Sequence, residues 1–371
     1  MRILTLSTSY PRSVDDYAGR FVSDLNLSLR RSGATTTTLC PEVSEISNRQ
    51  EPSSERVLRV PFGNTTDRKL FYASNFELRP LSRLQTLRAG FRFVRSMRRA
   101  VSQEIQDHDA VIVHWPWPLI LGCGDALGRR PAVGLCHGAD LRWLDRSRLA
   151  RLVFGLYARP LRGLFTTRSN SVALLKSVYE GPIVGSPMGA DGKRYQGRRV
   201  SPEMSHQLLY VGRLVREKGL EDLIRVLPRL GWPLLVMGGG PEETRLRQLA
   251  ASCGAQVTFL GWQGPDAVAD ALASVRMIVV PSRGETTGGA EGFPTVLCEA
   301  ALAGTPILAA RVGGIADWIP DGATYEPNSQ AALLEALRRR LQEPREATIQ
   351  DAAPFGSDMV ASKVLGLLFP S

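Results

Sequence analysis

The 371-residue sequence predicts an α/β protein of two doubly wound parallel-sheet domains in tandem. Three observations predict it. Short apolar runs bounded by turn residues alternate with helical patterns along the whole chain, as in parallel sheets covered by helices on both faces. The series restarts near residue 207, after a stretch rich in Gly, Pro, Ser and Arg. The composition, 43% hydrophobic and 22% charged, is that of a globular chain, which excludes disordered and collagen-like classes.

In the first domain, residues 3–7 (ILTLS) read as a buried strand. A helix follows over 18–32, closed by Gly33. Residues 34–40, 110–115, 131–137 and 163–169 read as further strands. In the second, the strands are 207–212, 233–238, 257–261, 277–282 and 306–311. Helices between them lie near 220–230, 241–253, 266–273 and 294–303. Residues 191–206 read as the linker between domains 1–190 and 207–355. Ligands of such sheets bind beyond the carboxyl ends of the strands, so the expected site is a cleft between the domains.

The five cysteines are scattered and none forms a C-x-x-C pair. With only four histidines, a zinc site is not expected, and the odd cysteine count points to a reducing cytoplasm. The first residues, MRILTLSTSYPR, read as a strand and not a secretory signal. The apolar stretch 110–128 is broken by His114, Pro116, Pro118 and Asp125, short of the ~20 apolar residues of a membrane span.

The net charge of +10 is unevenly placed. Residues 1–200 hold 31 Lys and Arg against 17 Asp and Glu, and the rest hold 15 against 19. The basic excess gathers in two amphipathic stretches, 81–101 and 142–165. Both read as basic helices suited to the surface of an anionic membrane. No nucleic-acid-binding motif is present, and nucleic acid is not an expected partner.

The chemistry-bearing residues cluster in a few segments. In EGFPTVLCEA (291–300), Glu291 precedes a helix opened at Pro294, and Glu299 lies inside it, about 7–8 Å along the axis. Two carboxylates flanking a helix N-terminus suit a ligand with hydroxyls at each end and negative charge between, the layout of a nucleotide sugar. YVGRLVREKG (210–219) presents Arg213 and Lys218 beyond a strand, a clamp for a diphosphate. The run Gly238–Gly240 is explained equally well by a tight turn. In the first domain, His137 and Asp140 end a buried strand and face the expected acceptor. Gly19 lets backbone N–H groups approach a phosphate.

Together these segments resemble the family 4 retaining glycosyltransferases of GT-B fold, the glycosyl transferases group 1. The most specific matches are 212–219, 257–261, 279–282, 291–300, 303–309 and 313–315. The resemblance implies two Rossmann-like domains facing a cleft, with a helix over 356–371 crossing back to the N-terminal domain. It implies that Glu291 contacts the donor sugar with the backbones of Gly292, Phe293 and Pro294, and that Glu299 contacts the ribose. Arg213 and Lys218 would hold the diphosphate, Gly261 and Trp262 the base, and His137 would sit near the transferred sugar. Three departures stand out, one being Ala316-Asp317 after residues 313–315, where a glutamate is common. Ala18 precedes Gly19 where many members have two glycines, and residues 285–290 lengthen the loop before Glu291.

The expected activity is retaining, metal-independent transfer of a hexosyl unit, from a UDP-sugar above other nucleotide sugars. The acceptor is a hydroxyl of a lipid-linked or polysaccharide-precursor molecule. No cofactor beyond the substrate is expected. The expected location is the cytoplasm, peripheral on the inner face of the membrane. The alternatives are a transferase acting on a soluble natural product or glycan, and a nucleotide-sugar-binding protein without catalysis.

Overall fold

The computed structural model describes residues 1–42, 55–64, 67, 83–124, 126–198, 204–283, 292–346 and 348–370. They form two compact units, Met1–Ser186 with Ser357–Ser371, and Pro187–Gly356.

Unit 1 is built on a seven-stranded sheet of order β3-β2-β1-β4-β5-β6-β7, parallel throughout. Its strands are β1 (Arg2–Leu6), β2 (Thr35–Pro41), β3 (Arg56–Val60), β4 (Ala110–His114), β5 (Ala132–Cys136), β6 (Gly163–Thr166) and β7 (Ile183–Gly185). All five residues of β4 and of β5 are buried, as expected of strands covered on both faces. The chain runs outward from β1 to β3, then returns to place β4 on β1's other side. The strand order therefore reverses between β1 and β4, and the loops leaving these strands diverge into a crevice.

Unit 2 repeats the plan with order β10-β9-β8-β11-β12-β13, again parallel. Its strands are β8 (Leu208–Val211), β9 (Leu234–Met237), β10 (Val257–Gly261), β11 (Met277–Val280), β12 (Ile307–Ala310) and β13 (Thr324–Tyr325). Here the order reverses between β8 and β11.

The helix Ser357–Leu368 belongs to unit 1. It buries Val360, Ala361, Val364 and Leu368, and packs on the helix Arg20–Arg31. Ser28 Oγ and Ser357 Oγ lie 2.8 Å apart, and Arg162 donates to the Leu368 carbonyl at 2.8 Å. The segment 191–206, read as a linker, contributes a 3₁₀ turn, Gly192–Tyr195, to unit 2, with Tyr195 buried.

The stretch 142–165 is not one helix. It holds the end of the helix Ala139–Arg146, the whole helix Arg148–Ala158, and the start of β6. Ser147 causes the break. Its backbone is extended (φ −131°, ψ 111°), and its hydroxyl caps the second helix by accepting from Ala150 N–H at 3.1 Å. The other basic stretch is helical over Arg83–Glu104. Pro294 is the residue before the helix Thr295–Leu302, with extended ψ of 126°, and not its first helical residue. Three strands, β3, β7 and β13, carry too short or too mixed an apolar pattern to be read from sequence.

Candidate functional site

In unit 2 the loops after β8, β9 and β10 are held together by backbone. After β8 the chain turns through Gly212, and Arg213 follows, exposed, its guanidinium without an ion-pair partner among the described residues. Leu214 N–H donates to the Gly239 carbonyl at 2.9 Å, Glu242 N–H to the Leu214 carbonyl at 3.1 Å, and Gly238 N–H to the Gly261 carbonyl at 2.7 Å. These bonds tie the loops after β8, β9 and β10 into one edge.

The glycines of that edge have a steric reason. Gly238 has φ 141°, and a Cβ there would lie 1.9 Å from the Gly212 carbonyl oxygen. A Cβ on Gly239 would lie 2.7 Å from Trp262 Nε1, and one on Gly240 would lie 2.4 Å from the Leu214 carbonyl oxygen. Gly238–Gly240, ambiguous in the sequence, is thus the floor on which Arg213 and Trp262 stand. Trp262 is 54% exposed, and Gly261 before it turns with φ 69°.

Lys218 ends a 3₁₀ turn, Arg216–Lys218, and is half-buried. Gly219 after it has φ 67°, where a Cβ would strike the Pro281 carbonyl oxygen at 1.8 Å. Arg283 N–H donates to the Glu217 carbonyl at 2.9 Å. The Arg283 side chain pairs with Asp222 at 2.9 Å, while Glu221 pairs with Arg245 and Arg225, each at 2.9 Å. Hydrogen bonds from Arg245 and then Arg225 hold the Glu221 carboxyl down at about 2. These arginines are committed to acids of their own unit, and Arg213 is not.

Gly292 accepts from Gly314 N–H at 2.8 Å, which joins the segment before the helix Thr295–Leu302 to the loop after β12. Phe293 is buried against Phe355, ring centroids 6.0 Å apart, so its backbone and not its ring is what remains for a ligand. Glu299 is 4% exposed inside the helix. Glu291, and the lengthened loop before it, lie outside the described residues.

In unit 1 a second group of side chains gathers beyond β1, β4 and β5. His137 is surrounded by Trp115 (ring centroids 4.4 Å), Phe21 (4.7 Å) and His114 (5.1 Å). His114 Nδ1 lies 3.0 Å from His137 Nε2. Burial lowers both imidazoles, His114 to about 3, and His114 further lowers His137. Both rings are therefore neutral at pH 7.

Asp140 is 2% exposed. Its Oδ1 accepts from the backbone N–H groups of His137 (3.1 Å), Gly138 (2.9 Å) and Leu141 (3.0 Å). Burial raises its carboxyl to about 6, against the opposing pull of those N–H groups. Asp140 thus shapes the turn that carries His137. Gly19 has φ 68°, and a Cβ there would lie 2.3 Å from the Ser9 carbonyl oxygen. The close approach that requires glycine at this position is to the loop's own backbone.

Sequence reasoning placed His137 and missed its neighbours. His114 and Trp115 end the run AVIVHW, and nothing in their spacing from His137 announces contact. Only the pairing of β4 with β5, which sets His114 opposite Leu135, brings them together.

Residues 193–353 match the family model of glycosyl transferases group 1. Over 94% of this chain's length, and 87% of the relative's, it is 28% identical to glycogen synthase of Mycobacterium tuberculosis. Its fold, GT-B, is shared with sucrose-phosphate synthase from Thermosynechococcus elongatus (TM-score 0.68, 19% identity, 99% of this chain and 94% of that one). It is shared also with Anabaena Alr3699/HepE in complex with UDP-glucose (TM-score 0.64, 16% identity, 99% and 96%).

Proposed function

We propose that this glycosyltransferase moves a hexosyl unit from a nucleotide diphosphate sugar, a UDP-sugar above others, to a hydroxyl of a lipid-linked or polysaccharide-precursor acceptor, with retention of anomeric configuration. The observation that carries the reading is Arg213. It is an exposed guanidinium with no ion pair among the described residues, on an edge of glycine backbone, in a unit whose neighbouring arginines are neutralised. A diphosphate supplies the missing anion. The structural neighbour in complex with UDP-glucose supports a uridine donor.

Unit 2 takes the donor in this reading. Arg213 and Lys218 hold the diphosphate, Trp262 and Gly261 the base, and Glu299 the ribose. The backbone of Gly292, Phe293 and Pro294, with Glu291, holds the sugar. Unit 1 takes the acceptor, with His137 near the transferred sugar and Asp140 holding its turn. The leaving diphosphate removes the acceptor proton as the new bond forms on the same face. Arg213, Lys218 and the N-terminus of the helix Thr295–Leu302 stabilise the charge on departure, so no metal is required.

In this reading the acceptor end meets an anionic membrane, the inner face of the cytoplasmic membrane. The helix Arg148–Ala158 and the helix before it, Ala139–Arg146, expose Trp143 (64%), Leu149 (70%), Leu152 (64%) and Leu156 (52%), with Arg146 and Arg148 exposed among them. The helix Arg83–Glu104 exposes Leu87 and Phe91 beside Arg88 and Arg95. Apolar side chains ringed by arginine suit a headgroup layer. Among the described residues no helix is long and apolar enough to cross a membrane.

The test is transfer from radiolabelled donor, with and without EDTA. Arg213→Ala and Glu299→Ala should each lower kcat/KM at least about 10²-fold, and EDTA should leave the rate unchanged. Near wild-type turnover in both variants would overturn the assignment.

A further inference from the structure

The direction of the Arg213 side chain depends on how the backbone around its Cα is held. The Arg213 carbonyl and the Leu214 N–H belong to one peptide group, which is planar, and they point to opposite sides of the chain. Both are engaged. Tyr210 Oη lies 2.8 Å from the Arg213 carbonyl oxygen, and Leu214 N–H donates to the Gly239 carbonyl at 2.9 Å. A carbonyl can only accept, so the phenol is the donor. A plane gripped at both edges cannot rotate about the line joining its two Cα atoms, and the ψ angle of Arg213 is thereby fixed.

The peptide groups on either side are held as well. Gly212 N–H donates to the Met237 carbonyl at 3.0 Å, and the Leu214 carbonyl accepts from Glu242 N–H at 3.1 Å. Three of these four bonds run from backbone to backbone. The fourth comes from a side chain, and a substitution can remove it alone.

The local sequence explains why Tyr210 can supply that bond. It is the third of the four residues of β8 and is 2% exposed, so its ring is packed in the core. The chain then leaves β8 through Gly212, and a Cβ there would stand 3.3 Å from Tyr210 Oη. The missing side chain leaves the phenol a path along the backbone to a carbonyl three residues on. The hydroxyl is thus carried by a packed ring, while the guanidinium beyond it is exposed.

We propose that Tyr210 is a positioning residue for Arg213. Its hydroxyl, with the Gly239 carbonyl, locks the Arg213–Leu214 peptide and so holds the guanidinium in one presentation to an anionic ligand. That this anion is the diphosphate of a donor rests on the function proposed above. The hold on the peptide does not. Tyr210 is buried, acts through Arg213 and touches no ligand itself.

Tyr210→Phe tests this, because it removes one oxygen and keeps the ring and its packing. The first measurement is amide hydrogen exchange on the full chain without ligand. Leu214 N–H should exchange about 10-fold faster in the variant, while the amides within β8 keep their rates. The second is UDP binding by calorimetry, in a double-mutant cycle with Arg213→Ala. Tyr210→Phe should weaken UDP about 10-fold when Arg213 is present, and by less than about 2-fold when it is not. A tyrosine that only supported the fold would weaken UDP equally in both backgrounds. An unaltered Leu214 exchange rate in folded Tyr210→Phe, or equal losses of UDP affinity with and without Arg213, would overturn the proposal. If the wild type does not bind UDP, the donor assignment fails, and the Leu214 exchange rate still decides whether Tyr210 holds the peptide.

Discussion

Asp140 shows how a single side chain can set both a turn and a pH dependence. Its carboxyl is raised by burial from 3.8 to about 6. The folded protein therefore binds this proton more tightly than the unfolded chain does. The side chain costs nothing through ionisation below pH 3.8, and its cost grows as pH rises to about 6. A shift of that size corresponds to about 3 kcal/mol. Asp140→Asn keeps an oxygen for the three backbone N–H groups and cannot ionise. Urea unfolding between pH 4 and 7 should then show a shallower fall in stability for the variant than for the wild type. Parallel curves would mean that Asp140 ionises much as it does in water. At this scale the sequence was only partly informative. His137 and Asp140 were readable as polar residues ending a buried strand. Their partners were not, because His114 lies 23 positions from His137 and meets it only through strand pairing. Glu291 and Glu299 were read from one helix N-terminus. Glu299 is found buried in that helix, while Glu291 lies outside the described residues.

Among the elements, strands were the easiest to read. Parallel strands covered on both faces must be apolar at every position, and runs such as AVIVH and MIVV are recognisable without any alternation. Edge strands lack this signal. β3 is RVLRV, only partly buried, and β13 has two residues. Helix breaks were hidden for a different reason. Ser147 interrupts a continuous amphipathic pattern by offering its hydroxyl as a cap, and such a residue mid-pattern looks like a solvated position. Strand-end glycines make a testable claim at this scale. Gly238→Ala forces a Cβ to within 1.9 Å of the Gly212 carbonyl oxygen, a backbone atom that cannot swing aside. The variant should lose roughly 3 kcal/mol and uncouple the loop bearing Arg213. Gly254→Ala, where φ is 73° and nothing lies within 4 Å, should cost only about 1–2 kcal/mol. Equal losses in urea unfolding of the two variants would contradict this account of the edge.

For the molecule as a whole, the charge asymmetry gains a location. The basic half of the chain is largely unit 1, and Leu87, Phe91, Leu149, Leu152 and Leu156 stand exposed on two of its helices among arginines. Co-sedimentation with vesicles containing anionic lipid should be strong in low salt and weaken as salt rises. Leu149→Ser with Leu152→Ser should weaken it at constant charge. Binding that ignores salt, or that survives the double substitution unchanged, would remove the membrane from the reading. The division into two units also has an outcome in time. All residues of unit 2 lie between two separated pieces of unit 1, Met1–Ser186 and the segment that begins at Ser357. A ribosome delivers the chain in order, and domains fold as units when their last residues emerge. Unit 2, which begins later in the chain, is thus the first to be complete. The half that begins at Met1 waits, its bed for Val360, Val364 and Leu368 uncovered, until synthesis has passed the other. Birth order and folding order are reversed in this chain.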